Sequence, residues 1–236
     1  MITDICSMMI LLAAATTLEI QPAIDFLDTP SSRTDGHEVT VLTTGVGSVA
    51  ATYALMRKIG QRRPDLVIQA GIAGAFYNPS SSPIVGPGSV LAIKEEILAD
   101  LGVWETGSWK TLFDLRLIGQ HDPPFFGGLL INPYQPLLTL SGLPAVRSIT
   151  VNEITTDPER IGWIQQNWAP VVESMEGGAL HYVCLQEQIP FLQIRSISNP
   201  VGERDKTKWE LRKAVQHLNE QLIALFKNLK GINSIA

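Results

Sequence analysis

Apolar residues along the chain gather in short blocks, separated by stretches in which they recur every three or four positions. The blocks cover residues 8–15, 39–44, 66–70, 90–93, 146–150 and 191–197. They are too short for helices, several are rich in Ile and Val, and most end at Gly, Pro, Ser or Thr, so they predict strands buried on both faces. Helical patterns lie between them at residues 17–27, 48–59, 158–167, 178–188 and 206–230. This alternation predicts one α/β domain over 1–236, with a mixed, mostly parallel twisted sheet flanked by helices on both faces. The stretch 102–143 is dense in Gly and Pro. It predicts a loop-rich excursion that covers substrate or meets a second subunit.

Composition narrows the function. The chain has 236 residues and is 45% hydrophobic, enough for a single large core. Its net charge is −5 and no Lys/Arg run exceeds a pair, which argues against nucleic acid or an anionic membrane as partner and for a small molecule or another protein. Cys6 and Cys184 are the only cysteines and lie far apart, with no second Cys or His at ligand spacing. Neither a disulfide framework nor a metal site is expected, and a reducing cytoplasm fits. The run "MMILLAAA" has the look of a secretion signal, but no Lys or Arg precedes Arg33, and the run reads as a buried strand. No segment approaches the ~20 apolar residues of a membrane-spanning helix.

In open parallel sheets ligands sit beyond the carboxyl ends of the strands. Here those positions hold Glu19, Gly45 and Gly47, Gly71 to Gly74, Val151 to Glu153, Glu173 to Glu176, and Ser198 with Asn199. Glycines, carboxylates and an amide suit a polyhydroxylated or phosphate-bearing ligand. In "TTGVGSVAAT", Gly45 and Gly47 would bring backbone N–H groups to a ligand oxygen at a helix start; a tight turn capped by Ser48 explains the same residues. "PDLVIQAGIAGAF" repeats the arrangement around Gly71. In "VESMEGGAL", Glu176 can take two hydrogen bonds from a vicinal diol while Met175 offers an adaptable apolar contact. A helix-capping acid would look the same. Glu19, in "ATTLEI", is either a first-turn acid or a general base that deprotonates an attacking water. Asn199, before Pro200, can read an edge carrying both N–H and C=O, or simply form a turn. The four His show no pairing, and His181 reads as packed.

Together these motifs resemble the nucleoside phosphorylase and nucleoside hydrolase superfamily, from about residue 8 to residue 230. "PDLVIQAGIAGAF" looks like its strand and glycine loop, "GVGSVAA" like its ribose-side loop, and "VESMEGGALHYVC" like its V-E-x-M-E segment. Within the superfamily, "FLQIRSISNPVGERDKTKW" is similar to the futalosine hydrolases, which split futalosine into hypoxanthine and a ribosyl product in an alternative route to menaquinone. The resemblance implies catalytic roles for Glu19 and Asn199. It implies substrate contacts for Gly47, Gly71, Val151, Ser174, Met175, Glu176 and Ser198. It also implies a purine nucleoside as partner, no metal or organic cofactor, and a homo-oligomer. Asn199 stands where adenine-nucleoside hydrolases have Asp. An amide suits a 6-oxopurine, donating to O6 and accepting from a protonated N7. Neither residues 16–20 nor the glycine loops carry an Arg or Lys to hold phosphate, so water is the expected nucleophile. Methylthioadenosine/S-adenosylhomocysteine nucleosidase and purine nucleoside phosphorylase are the alternatives within the enzyme class, and a nucleoside sensor domain lies outside it. Futalosine's aromatic carboxylate calls for a cation; Arg204, Lys206 and Lys208 of the charged loop are the candidates, though a solvated loop explains at least two of them and none is assigned. In "MEGG" many relatives carry alanine at the second glycine, and each Gly should loosen the helix start by roughly 1 kcal/mol.

Overall fold

The block read as the first strand lies inside the sheet, and its two faces show why it lacks polar alternation. In the computed structural model, which describes residues 7–29, 37–76 and 85–229, β1 (Met9–Ala14) is parallel to β2 (Glu38–Thr43) on one side and to β3 (Leu66–Ala75) on the other. Ile10 and Leu12 pack with Ile20 and Ala23 of α1 (Thr17–Leu27) and with Leu218 and Leu222 of the last helix. Leu11 and Ala13 turn the other way, to Leu55 and Ile59 of α2 (Ser48–Gln61). Both faces therefore need apolar side chains, as the continuous runs predict.

The chain continues through β4 (Val90–Leu98), β5 (Gly102–Glu105), β6 (Ser108–Thr111), β7 (Leu130–Ile131) and α3 (Gln135–Ser141). Then follow β8 (Ala145–Thr150), α4 (Pro158–Asn167), β9 (Val172–Ser174), α5 (Gly177–Gln186), β10 (Phe191–Pro200) and α6 (Leu211–Asn228). The mixed sheet with helices on both faces is the expected α/β class. The central stretch is more ordered than its Gly and Pro content suggests: β5 and β6 form an antiparallel hairpin, β7 joins the edge of β4, and α3 buries Leu137 and Leu138 in the main core.

An open sheet is the one feature that does not hold. β3 pairs with β10, β10 with β4, β4 with β8, β8 with β9, and β9 returns to β3, so five strands close into a ring from which β1 and β2 extend. Closure makes β3 and β10 longer than their apolar blocks, carrying Gly71, Gly74, Ser198 and Asn199 within strands rather than after them. One edge of β3 is divided: Leu66–Gln69 pairs with β1, and Gly74–Ala75 with β9. Between the two partners the sheet forks at Gly71–Ile72.

Candidate active site

The fork opens into a cavity of about 450 Å³, within the range of small-molecule pockets. Its wall includes Thr16, Glu19, Ile72, Gly74, Ile154, Glu173, Ser174, Met175, Glu176, Ser198, Asn199, Trp209, Leu211 and Val215, so the ends of β1, β3, β9 and β10 converge as the motifs predict.

Glu19 caps its helix, as one reading of it expects, and also lines the cavity. Thr16 is the N-cap of α1, in extended backbone, and the Glu19 carboxylate reaches back to it. Glu19 Oε2 accepts from the Thr16 N–H and hydroxyl, both at 3.0 Å, which is the return arm of a capping box. Glu19 Oε1 accepts from the Ile72 N–H at 3.0 Å, the amide left free by the fork in β3. A carboxylate offers about four acceptor positions. Three are filled, which fixes the group, and one is left for a molecule in the cavity.

Glu176 is the N-cap of α5 by position, yet its side chain caps nothing. Ser174 Oγ and Thr150 Oγ1 do that work, accepting from the N–H groups of Gly177 (3.3 Å) and Gly178 (2.7 Å). The Glu176 carboxylate crosses the cavity floor instead, where Oε1 accepts from the Gly47 N–H at 3.1 Å and Oε2 from Arg195 Nη1 at 3.3 Å. Two acceptor positions remain, the number a vicinal diol needs. Gly47 has a φ of 91°, open to glycine but strained for other residues, and its amide is committed to Glu176 rather than to a ligand. Ser48, expected as a cap, donates its hydroxyl to the Met175 carbonyl and ties α2 to the clamp.

Arg195 is the residue the motif reading lacked. It is 1% exposed on β10, and its Nη2 donates to Gln69 Oε1 at 3.0 Å while Nη1 holds Glu176. A guanidinium in the middle of the apolar run "FLQIRSIS" is the signal, since a buried Arg must be paired and a carboxylate must therefore face it. A Cβ at Gly71 would stand 2.7 Å from Arg195 Nη1 and 3.0 Å from Glu19 Oε1. Gly71 thus makes room for the Arg195 and Glu19 side chains and does not itself line the cavity. Residues 16–20 and the glycine loops do lack Arg and Lys, but Arg195 of β10 stands behind them; both its arms are engaged and it is not on the cavity wall.

Val151 is also relocated. It is 0% exposed in the apolar cluster with Ile97, Ile149 and Ile164, and Ile154 takes the place on the cavity wall. Asn199 lines the same cavity as the carboxylates; its Nδ2 donates to the Pro200 carbonyl at 2.8 Å and its Oδ1 accepts from Ser198 Oγ at 2.7 Å. Because a carbonyl can only accept, this pair of contacts fixes which end of the amide is which. One N–H and one lone pair of Asn199 remain. Glu173, with 7% exposure, has one oxygen without a hydrogen-bond partner, and burial holds its carboxyl above the usual range. Among the described residues no group of three or more His, Cys, Asp or Glu is arranged to hold a metal, and no helix is long and apolar enough to cross a membrane. Cys184 is a buried free thiol, and Cys6 lies outside the described residues.

The glycines of "MEGG" have a steric cause. A Cβ on Gly177 would lie 2.2 Å from both Glu96 Oε1 and Gln193 Nε2, and one on Gly178 2.4 Å from Leu98 Cδ2. Helix propensity alone makes Gly177→Ala stabilising by about 1 kcal/mol. Overpacking reverses the sign at a cost of about 1–3 kcal/mol, so a lower melting temperature is expected. A raised one would refute the close approach.

No family model matches the chain. It is 28% identical over 179 residues, 75% of this chain and 76% of the relative, to a futalosine hydrolase of Thermus thermophilus. It is 28% identical over 204 residues, 84% and 83% of the two chains, to a 5′-methylthioadenosine/S-adenosylhomocysteine nucleosidase of Geobacillus kaustophilus. Among solved structures, the nucleosidase of Colwellia psychrerythraea in complex with adenine superposes with a TM-score of 0.73 at 22% identity, covering 95% of this chain and 97% of that one. Futalosine hydrolase of Helicobacter pylori gives 0.73 at 14% identity, covering 94% and 97%. The chain has homologues among the nucleosidases, and its fold is the nucleoside phosphorylase-like fold of these structures.

Proposed function

We propose that the protein is an N-glycosidase that hydrolyses the bond between hypoxanthine and the ribosyl unit of futalosine. One observation carries the reading: two carboxylates, Glu19 and Glu176, are held by fixed donors on one cavity, with one and two acceptor positions to spare, and an oriented amide lines the same cavity. In this reading Glu176 takes the 2′- and 3′-hydroxyls while Met175 and Ser174 flank the sugar. Glu19 accepts a proton from the water that attacks the anomeric carbon. As the bond breaks, positive charge builds on the ribosyl ring and negative charge on the base. N7 takes a proton from solvent water as that charge develops, and Asn199 donates to O6 and accepts from the N7–H so formed.

The sugar's far end faces Leu18, Leu211, Val215 and Trp209, an apolar wall that suits an aromatic arm. Of the three cations considered for its carboxylate, Lys208 is bridged to Glu203 at 3.0 Å, Lys206 is off the cavity wall, and Arg204 lines it, stacked 5.8 Å over Trp209. Arg204 is therefore the proposed anion contact. We further infer a homo-oligomer, because Val49, Tyr53 and Met56 form an exposed stripe on one face of α2 beside Val46 and Leu18 of the cavity. The proposed compartment is the reducing cytoplasm.

The test is release of free base from futalosine, inosine and methylthioadenosine, with and without phosphate. Hypoxanthine from futalosine without phosphate is the expected result. Adenine release would assign the methylthioadenosine reading and overturn the role given to Asn199. Turnover only with phosphate would make the protein a phosphorylase.

A further inference from the structure

Beneath the first turn of α5 lies a polar cluster that the proposed chemistry does not use. Glu96 on β4 is 0% exposed; its Oε1 accepts from Gln193 Nε2 at 3.0 Å and its Oε2 from Thr150 Oγ1 at 2.9 Å. Thr150 Oγ1 in turn accepts from the Gly178 N–H, two residues beyond Glu176. Two atoms of the cluster, Gln193 Oε1 and His181 Nε2, are buried with no hydrogen-bond partner. His181 Nδ1 lies 3.0 Å from the Leu130 carbonyl, which can only accept, so in the neutral ring Nδ1 carries the proton and Nε2 is an acceptor. Gln193 is the side chain that faces this ring. Two unsatisfied acceptors so placed are costly, and which end of the Gln193 amide is oxygen follows only from the hydrogen-bond network.

One proton resolves the cluster. If Glu96 Oε1 is protonated and the Gln193 amide is turned over, Glu96 donates to Gln193 Oε1 and Gln193 Nε2 donates to His181 Nε2. Thr150 still donates to Glu96 Oε2, and His181 still donates to Leu130. Both orphaned acceptors gain a partner and none is lost.

We propose that Glu96 is carried as the neutral acid and acts as a positioning residue: its proton closes a hydrogen-bond chain, Thr150–Glu96–Gln193–His181, that seats Gly177 and Gly178 and thereby sets the Glu176 clamp. The fully buried site agrees, since burial pushes the Glu96 carboxyl up to about 7 and draws the His181 ring down to about 3. The charged group facing Glu96 is Arg195 from β10, engaged with Glu176 and Gln69; His181 from α5 stands beyond Gln193, and Ser148 and Thr150 from β8 are uncharged. The sign follows from a folded value above the ordinary 4.5. The proton's contribution to stability is full below that value and is lost as pH rises to about 7. Above it, Gln193 must turn back and the two acceptors are stranded.

Glu96→Gln is the test, because its amide reproduces the neutral acid: the oxygen accepts from Thr150 and the NH₂ donates to Gln193. In the wild type, infrared spectra with isotope-labelled glutamate should show a protonated-carboxyl band that is lost on titration through about pH 7 and is missing from Glu96→Gln. The melting temperature of the variant relative to wild type should climb over the same range. The link to substrate affinity rests on the function proposed above: wild-type KM for a 6-oxopurine nucleoside should rise severalfold from about pH 6 to about pH 8.5, and the variant's should stay flat. The ratio of Gly178 amide exchange, wild type over variant, should rise in parallel, and it reads the same positioning without turnover. A carboxyl band absent at about pH 6 overturns the neutral acid whether or not the protein is a nucleosidase. Parallel exchange and KM profiles in the two proteins overturn the positioning role.

Discussion

Glu19→Gln is expected to lose turnover while keeping the nucleoside bound. General acid–base catalysis by one positioned group is worth roughly 10²–10⁴-fold, and a fall of that size in kcat is the expected measurement. The glutamine cannot repeat the contacts of the acid. Thr16 presents an N–H and a hydroxyl to one oxygen and Ile72 an N–H to the other, so an NH₂ at either place meets a donor. The variant should therefore also lose about 1–3 kcal/mol of stability, the cost of leaving a partly buried donor unpaired. Substrate affinity, which the proposed function gives to Glu176, Asn199 and the apolar wall, should change far less, which a direct binding titration would show. Wild-type kcat in this variant would remove Glu19 from the chemistry and leave it only the cap of α1.

A residue that caps a helix and also lines a cavity shows why the sequence was readable at some positions and opaque at others. Local pattern was enough for α1 and α4, whose observed bounds, Thr17–Leu27 and Pro158–Asn167, match the predicted ones, because a cap and an apolar period define them. Pattern also drew attention to Glu19, Glu176 and Asn199, since carboxylates and an amide at strand ends are unusual. It could not tell capping from binding, because the answer lies in what faces them across the fold. Ile72 reaches Glu19 only because β3 forks between β1 and β9, and Gly47 reaches Glu176 across 129 residues of chain. Ring closure, which no single strand announces, extended β3 and β10 past their apolar blocks. The same closure placed Val151 in the core and left Ile154 at the cavity. The second glycine of "MEGG" had read as a loosened helix start; its neighbours Leu98 and Thr150 come from distant strands.

Arg195 was legible in kind though not in role, and its removal is the expected large effect on stability. Arg195→Met takes away the partner of Glu176 where both side chains are nearly sealed, at 2% and 7% exposure. Breaking a buried pair from one side costs about 3–5 kcal/mol, because the remaining charge is uncompensated. For a chain of this size, with about 2–4 °C per kcal/mol, the melting temperature should drop by about 6–20 °C. Glu176 would then hold its place through the Gly47 amide alone, so KM should rise as well. Adding Glu176→Gln should restore much of the stability, since a methionine beside a neutral amide strands no charge, yet it should not restore KM if, as proposed, the carboxylate holds the sugar. Recovery of stability without recovery of affinity separates the two roles of the pair. If Arg195→Met melts with the wild type, the ion pair contributes nothing measurable, and the Gly47 amide must hold the Glu176 carboxylate without it.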